Sequence, residues 1–193
     1  MVSWTLVGCN SNKNNETTPT TTDETAQWDF IIEDTTDEYN AVVRYNDNLV
    51  ELASQCILSE DSIWDAYNDY EEGKSTMEDV QQAISNTIEE CQNSTNQINE
   101  LWDWEWDSSL KDSVIDIIEK KMDYYAKFWE LVLYLPYLWN DEKLPDEEAA
   151  TYTQILSDLD ILDSELEEAN NNLIAVQETF SSNHGFDLEE SNE

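Results

Sequence analysis

The sequence predicts an all-α protein, an elongated antiparallel up-down-up-down four-helix bundle that follows a disordered N-terminal tether. Three observations predict this fold. The 193 residues include only three Gly and three Pro, which leaves little material for the tight turns of an all-β protein. Apolar residues recur at the three- and four-residue spacing of helices that pack along their length. The connections between these periodic segments are short, as they are between antiparallel neighbours.

Length and charge limit the classes of function. A chain of 193 residues is long enough for one domain with a substantial core, so one domain is expected. It carries 45 Asp and Glu against 8 Lys and Arg, a formal net charge of −37. Because a duplex or an anionic bilayer surface would repel such a chain, we predict that it does not bind nucleic acid.

A short motif lies in residues 1–9. Leu6, Val7, Gly8 and Cys9 form a tetrapeptide that resembles the lipobox of bacterial lipoproteins, in which a small residue precedes the lipidated cysteine. The resemblance implies that Cys9 is the mature N-terminus and carries the lipid. It also implies that this lipid attaches the protein to a membrane of the cell envelope, outside the cytoplasm. Since one acyl chain binds a membrane weakly, Cys9 would carry two or three.

The residues on either side of Cys9 extend this interpretation. Only eight residues precede Cys9, with no Lys or Arg among them, whereas a signal peptide has a basic start and roughly 7 to 15 apolar residues. Residues 1–9 are therefore interpreted as a truncated signal that starts further upstream; the alternative is an ordinary apolar N-terminus. Residues 10–27 are rich in Asn and Thr, which is typical of a solvated, disordered tether. No later stretch reaches the roughly 18 apolar residues of a membrane span.

The first two predicted helices form a hairpin. The first covers residues 28–72 and ends at Gly73, where a left-handed C-terminal residue is expected. The second covers residues 75–105 and begins at Ser75 or Thr76, both good N-terminal caps. The turn between them is too short to do anything but reverse the chain.

The apolar patterns of these two helices share one antiparallel register. This register pairs Tyr45 with Trp102, and it also pairs Cys56 with Cys91. Because nothing in the apolar pattern requires the two cysteines to share a layer, their coincidence predicts both the hairpin and a Cys56–Cys91 disulfide. A disulfide suits an exported protein. The alternative is two free, buried cysteines that act as small hydrophobic residues.

Two further helices complete the predicted bundle, which covers residues 28–182. The third covers residues 109–135 and ends where Pro136 disturbs it. The fourth covers residues 146–182, with acidic residues in its first turn, and an acidic tail follows over 183–193. When the facing registers are chained through the turns, Thr35 of the first helix falls near Phe180 of the fourth.

Aromatic residues gather at the end of the predicted bundle that holds Gly73, the distal end. Aromatic side chains with a polar group suit contacts with proteins or glycans, so we predict a partner-contact surface here, termed the distal aromatic surface. Its partner would be an envelope protein or a glycan. The alternative is that these side chains fill the widening end of the core. The surface consists of Trp64, Tyr67, Tyr70, Tyr134, Tyr137 and Trp139.

The sequence gives little support for catalysis or for metal binding. The only histidine, His184, lies in the predicted tail, which argues against a histidine-based triad and against the Glu-x-x-His pairs of di-iron bundles. With 45 acidic residues, a carboxylate pair at glycosidase spacing is expected by chance. The acidic stripes match no EF-hand loop. We therefore predict no enzymatic activity, no cofactor and no metal site.

These observations predict a lipid-anchored interaction or structural module of the cell envelope. The alternative is a binding protein for a small ligand or a divalent cation, held between the helices or on the acidic faces. Four of the eight basic residues lie in the third predicted helix, where we expect them to offset neighbouring acidic faces; they are Lys111, Lys120, Lys121 and Lys127.

Overall fold

The computed structural model describes residues 35–104, 108–139, 144–186 and 188, without the side chains of residues 35–38, 138 and 139. This described part is all-helical and contains no strand, so the predicted all-α class is confirmed. The predicted segments 1–9 and 10–27, with Cys9, lie outside the described residues. The six helices are α1 (Thr35–Ser59), α2 (Asp61–Glu71), α3 (Met77–Glu100), α4 (Ser109–Val132), α5 (Leu135–Trp139) and α6 (Asp146–His184).

The first predicted helix, 28–72, is divided at Glu60 into α1 and α2. Around the division the backbone forms the tighter i to i−3 hydrogen bonds, from Glu60 to Ile57 at 3.1 Å and from Ile63 to Glu60 at 2.9 Å. The hydroxyl of Ser59 donates to the carbonyl of Cys56 and that of Ser62 to the carbonyl of Ser59, both at 2.7 Å. Serine hydroxyls that take backbone carbonyls in this way weaken the regular helical ladder.

The chain reverses after α2, as predicted. Gly73 has φ of +70°, a conformation that glycine adopts without steric cost. Thr76 then caps α3 in a reciprocal arrangement, because its side chain accepts from the backbone of Asp79 at 3.2 Å and the Asp79 carboxylate accepts from the backbone of Thr76 at 2.7 Å. This capping box satisfies two backbone donors at the start of the helix.

A disulfide joins α1 to α3, and the predicted Cys56–Cys91 pairing is confirmed. The two Cα atoms lie 4.4 Å apart, and both residues are fully buried. Close by, the Thr87 hydroxyl donates to the carbonyl of Ser59 at 2.9 Å. Since residue numbers rise along α1 as they fall along α3, the two helices are antiparallel.

The corner after α3 differs from the prediction. The helix ends at Glu100 rather than at 105, because Leu101 adopts an extended conformation. Beyond that point the side chains no longer follow helical spacing, and Trp104 rather than Trp102 packs against Tyr45, with 5.9 Å between ring centroids. Trp104 is 5% exposed and Trp102 is 65% exposed. The predicted pairing of Tyr45 with Trp102 is therefore wrong.

Helices α4 and α6 pack closely against each other and run antiparallel. Lys120 pairs with Glu165 at 3.3 Å, and Ser113 hydrogen bonds to Asn172 at 3.4 Å. Helix α4 ends at Val132, and Pro136 lies in the first turn of the separate helix α5, where a proline removes no helical hydrogen bond.

The C-terminal end of α6 continues to His184, two residues past the predicted end at 182. Gly185 then terminates the helix in the left-handed conformation. Phe186, placed in the predicted acidic tail, is 5% exposed and packs against Phe180 at a centroid distance of 6.0 Å.

The register between α1 and α6 also differs from the prediction. Phe180 packs against Tyr45 at a centroid distance of 6.0 Å, and the amide of Gln177 donates to Asn46 at 3.0 Å in the interior. The predicted neighbour of Phe180, Thr35, lies ten residues earlier in α1, about 15 Å along a helix, and that pairing is wrong. It was chained through two connections whose lengths the apolar pattern does not determine.

Removal of the disulfide should lower stability measurably. We expect the double substitution Cys56→Ala and Cys91→Ala to reduce the free energy of unfolding by about 3 to 4 kcal/mol, because the bond restricts the unfolded chain. Urea unfolding with and without a reductant measures this. Reductant should destabilise the wild-type protein and leave the double variant unchanged; an equal response of both proteins would contradict the assignment.

The core position of α6 can be tested with a matched pair of leucines. Leu166 is 6% exposed and Leu58 of α1 is 68% exposed. We expect Leu166→Ala to cost about 2 to 5 kcal/mol of unfolding free energy through lost burial and a residual cavity, and Leu58→Ala to change it by about 0.5 kcal/mol or less. Denaturant unfolding of the two variants measures the difference, and equal costs would show that α6 does not pack as described.

Candidate functional site

The structure brings two members of the distal aromatic surface together on α2. Trp64 and Tyr67, termed the α2 aromatic pair, are half-buried and lie with their ring centroids 6.3 Å apart. Both pack against Phe128 of α4, at 5.8 and 6.5 Å. Phe128 is 8% exposed, so it forms the floor under a pair of rings that keep part of their surface accessible.

The remaining members of the surface lie elsewhere at the same end. Tyr134 follows α4 and packs against Tyr152 of α6 at a centroid distance of 5.5 Å. Tyr70 and Tyr137 are half-buried, and the side chain of Trp139 lies outside the described residues. The predicted surface is thus divided. The α2 aromatic pair packs against Phe128 of α4, and Tyr134 makes a separate contact with Tyr152 of α6.

Trp64 of the α2 aromatic pair hydrogen bonds to a carboxylate that also forms an ion pair with α4. Glu60, at the break between α1 and α2, accepts from Lys121 of α4 at 2.6 Å through one carboxylate oxygen. Its other oxygen accepts from the indole nitrogen of Trp64 at 3.3 Å. The Lys121 side chain is 4% exposed and that of Glu60 is 22% exposed. One carboxylate therefore links the helix break, α4 and the first ring of the pair.

Both members of the ion pair have shifted pKa values. Burial alone raises the pKa of Glu60, but the hydrogen bond and charge of Lys121, with the hydrogen bond from Trp64, outweigh it and hold the pKa below the ordinary 4.5. Burial lowers the pKa of Lys121 and Glu60 partly offsets this. The direction of the Glu60 shift favours its carboxylate form at neutral pH.

Two tyrosines of α4 complete the surroundings of this ion pair. Lys121 lies 5.9 Å from the ring centroid of Tyr125, and burial followed by the negative charge of Glu60 raises the pKa of the Tyr125 hydroxyl. Burial also raises the pKa of Tyr124, as do the nearby carboxylates of Asp163, Glu60 and, more weakly, Asp160. Carboxylates from α6 and from the α1–α2 break thus approach the same turn of α4. We term this arrangement, together with the α2 aromatic pair and Phe128 beneath it, the acidic aromatic site.

The helices around the acidic aromatic site carry mainly negative charge. Helices α2 and α6 carry Asp and Glu but no Lys or Arg. The four lysines of α4 are each in an ion pair, which confirms that they offset acidic side chains: Lys111 with Asp103, Lys120 with Glu165, Lys121 with Glu60, and Lys127 with Glu130 and Asp158.

The opposite end of the fold holds a second aromatic cluster. His184 packs against Phe180 at 4.6 Å and against Trp104 at 6.0 Å between ring centroids. A half-open pocket of about 190 Å³ lies beside Phe180; it is lined by Ser109, Ala175, Val176, Thr179, Phe180 and Asn183. None of these six side chains is charged.

The described ranges contain neither a candidate metal site nor a membrane-spanning helix. Within residues 35–104, 108–139, 144–186 and 188, no three His, Cys, Asp or Glu side chains are grouped so that they could hold a metal ion. Among the helices described, none has both the length and the apolar character needed to cross a bilayer.

No protein-family model, curated protein or solved structure matches this chain.

Sequence reasoning missed Glu60 and Phe128 as parts of the site. Glu60 lies on the polar side of the first predicted helix and gives no signal. Lys121 does give one, because it occupies an apolar position of the third predicted helix, between Ile118 and Tyr125. A single charged residue at a core position indicates a buried partner, but the sequence does not say which of the 45 acidic residues that partner is.

Breaking the buried ion pair from one side should cost more than removing both charges. We expect Glu60→Gln to lower the free energy of unfolding by about 3 kcal/mol, because Lys121 then has lost its acidic partner in the interior, and the added substitution Lys121→Met to recover most of that loss. Urea unfolding at neutral pH measures both. Glu165→Gln, which breaks the more exposed pair with Lys120, serves as the control and should cost about 1 kcal/mol or less.

The ion pair should also impose a pH dependence. The pKa of Glu60 is lowered on folding, so its stabilisation is complete above the ordinary value of 4.5 and is lost as the pH falls through the lowered value. We expect the stability difference between the wild-type protein and Glu60→Gln to be constant from pH 5 to pH 7, because pH 5 is already about half a unit above the ordinary pKa of 4.5. The difference should shrink in more acidic solution. Unfolding curves of the two proteins across this range measure the difference. A difference that grows in acid would contradict the assignment.

Proposed function

We propose that this protein is a lipid-anchored, extracytoplasmic helical module, without enzymatic activity, that contacts an envelope protein or glycan through the distal aromatic surface. The observation that carries the proposal is the α2 aromatic pair: Trp64 and Tyr67 are half-buried and are held in place by Phe128. Rings held rigidly on a core lose little conformational freedom on binding, and aromatic residues dominate the energetics of contact sites.

The finer architecture belongs to the same proposal. The chain is an up-down-up-down four-helix bundle in which α1 with α2, α3, α4 and α6 are the four elements, joined to a disordered tether over residues 10–27. The antiparallel contacts of α1 with α3 and of α4 with α6 support this arrangement. In such a bundle the α2 aromatic pair lies at the end away from the tether, where a partner reaches it.

The location of the protein is supported by its disulfide. Disulfides persist in oxidising compartments and are rare in the cytosol, and the Cys56–Cys91 bond leaves Cys9 as the one cysteine outside the pair. Cys9 is then the site of lipid attachment.

The mass of the N-terminal peptide tests the anchor. A diacylated or triacylated Cys9 increases that mass by several hundred daltons and sends the protein into the detergent phase, since about 0.8 kcal/mol per buried methylene favours the membrane. The substitution Cys9→Ser should abolish both effects. An unmodified Cys9 in the native protein would overturn this part of the proposal.

The contact surface is tested separately from the anchor. Immobilised protein should capture a partner from envelope extracts, and Trp64→Leu with Tyr67→Leu should abolish the capture. Both rings also pack against Phe128, so this variant should unfold at a lower temperature but remain folded at the temperature of the assay. Trp102→Leu, at the opposite end and 65% exposed, is the control and should capture normally. Normal capture by the folded double variant would overturn the contact function.

A second candidate function is the binding of a small polar ligand between the helices. Polar side chains in the interior favour it: Ser94, Thr95 and Asn170 are at least 92% buried, and a side-chain oxygen of each has no hydrogen-bond partner within the described residues. A buried polar atom without a partner is costly, and a small ligand that hydrogen bonds to one of these atoms would remove part of that cost. Thermal unfolding in the presence of small polyols and amides tests this candidate, and an unchanged midpoint would count against it.

A further inference from the structure

The charge around the α2 aromatic pair limits what can bind there. On α2, Asp61 and Asp65 flank Trp64 in sequence, and Glu71 lies one turn beyond Tyr67; all three are exposed. On the α6 side, Asp160 and Asp163 are exposed and lie near Tyr124. An anionic glycan or an acidic protein face would meet uncompensated repulsion at this position.

The protein's basic residues neutralise only part of this surface. Among the described residues, Lys74, just beyond α2, pairs with Asp69 and Glu72, whereas Asp61, Asp65 and Glu71 are not in a salt bridge. The lysine that lies inside the site, Lys121, is 4% exposed in its side chain and is engaged by Glu60. Lys120 and Lys127 point to Glu165, Glu130 and Asp158. Helix α2, which carries the two rings, contains Asp and Glu but no Lys or Arg, so its own charged side chains are all negative.

We infer that the partner segment that docks on the α2 aromatic pair is basic, a Lys- or Arg-rich stretch of another protein. This inference rests on the proposed contact function of the same surface. Trp and Tyr faces attract cations through the ring quadrupole, and the exposed carboxylates around them add charge complementarity that speeds association and selects the partner. Arginine fits best, because its planar guanidinium stacks on an aromatic ring while it donates to a carboxylate.

The site itself already contains one example of this recognition. Lys121 lies 5.9 Å from the ring centroid of Tyr125 while it donates to Glu60. The same combination of an aromatic face and a carboxylate recurs on the outer side of α2, where Trp64 and Tyr67 stand beside Asp61, Asp65 and Glu71.

Binding of a nona-arginine peptide tests the inference. The peptide, labelled with fluorescein, is titrated with the full chain carrying Cys9→Ser, and anisotropy is recorded at about 0.15 M ionic strength, where distant charges are screened. We expect Trp64→Leu with Tyr67→Leu to weaken binding about tenfold through the loss of two cation–π contacts. Trp102→Leu should bind as the parent chain does. A nona-lysine peptide of the same charge should bind several-fold more weakly.

A matched pair of charge variants separates the local surface from the overall charge. The α2 variant carries Asp61→Asn, Asp65→Asn and Glu71→Gln. The α3 variant carries Glu89→Gln, Glu90→Gln and Glu100→Gln, at exposed positions of the helix that packs against α2, and changes the net charge by the same amount. We expect the α2 variant to bind the peptide more weakly than the α3 variant. Equal weakening would show general attraction to an acidic protein and would overturn the inference.

The outcomes distinguish this inference from the proposed function. If the nona-arginine peptide does not bind, but the aromatic double variant still loses its partner in envelope extracts, the basic segment is wrong and the contact function stands. If neither the peptide nor a partner depends on Trp64 and Tyr67, both are wrong. Circular dichroism and thermal unfolding confirm that each variant is folded before it is titrated.

Discussion

The Cys56–Cys91 disulfide is the constraint on which the rest of the fold depends. It joins α1 to α3 about one helical turn before Glu60, and so it sets the height of the helix break relative to α3. At that height the Ser59 carbonyl meets the hydroxyl of Thr87. The bond also closes a loop of 35 residues that contains the break, all of α2 and the reversal at Gly73. The position of α2 is thereby determined from both ends.

The break at Glu60 gives α2 a second connection, to α4. A buried ion pair contributes little net stability, because desolvation of the two charges offsets their attraction. Its effect in this protein is positional. One oxygen of Glu60 is engaged by Lys121 and the other by the indole of Trp64, so the carboxylate orients the first ring of the α2 aromatic pair relative to α4. Phe128 then supports both rings from below.

Ion pairs neutralise charged side chains between the helices, whereas the outward faces of α2 and α6 keep an excess of negative charge. The lysines of α4 reach acidic side chains of α6, of the α1–α2 break and of the corner after α3, and these pairs let the central helix lie among acidic neighbours. The outward faces of α2 and α6 keep their carboxylates without basic neighbours on the same helix. A net charge of −37 keeps copies of the chain apart and favours cationic partners. The aromatic rings of α2 lie within the electric field of this negative charge.

The helical class, the hairpin at Gly73 and the Cys56–Cys91 pairing follow from the amino-acid sequence, because they depend on local periodicity and on one short turn. The pairing of Tyr45 does not follow from it, since Trp102 and Trp104 lie beyond the end of α3, where helical spacing no longer applies. Three further features are visible only in the folded chain: the register of Phe180 against α1, the break at Glu60 and the partner of Lys121. Each of these depends on contacts between residues far apart in the chain, and the lengths of the connections between helices leave such contacts undetermined.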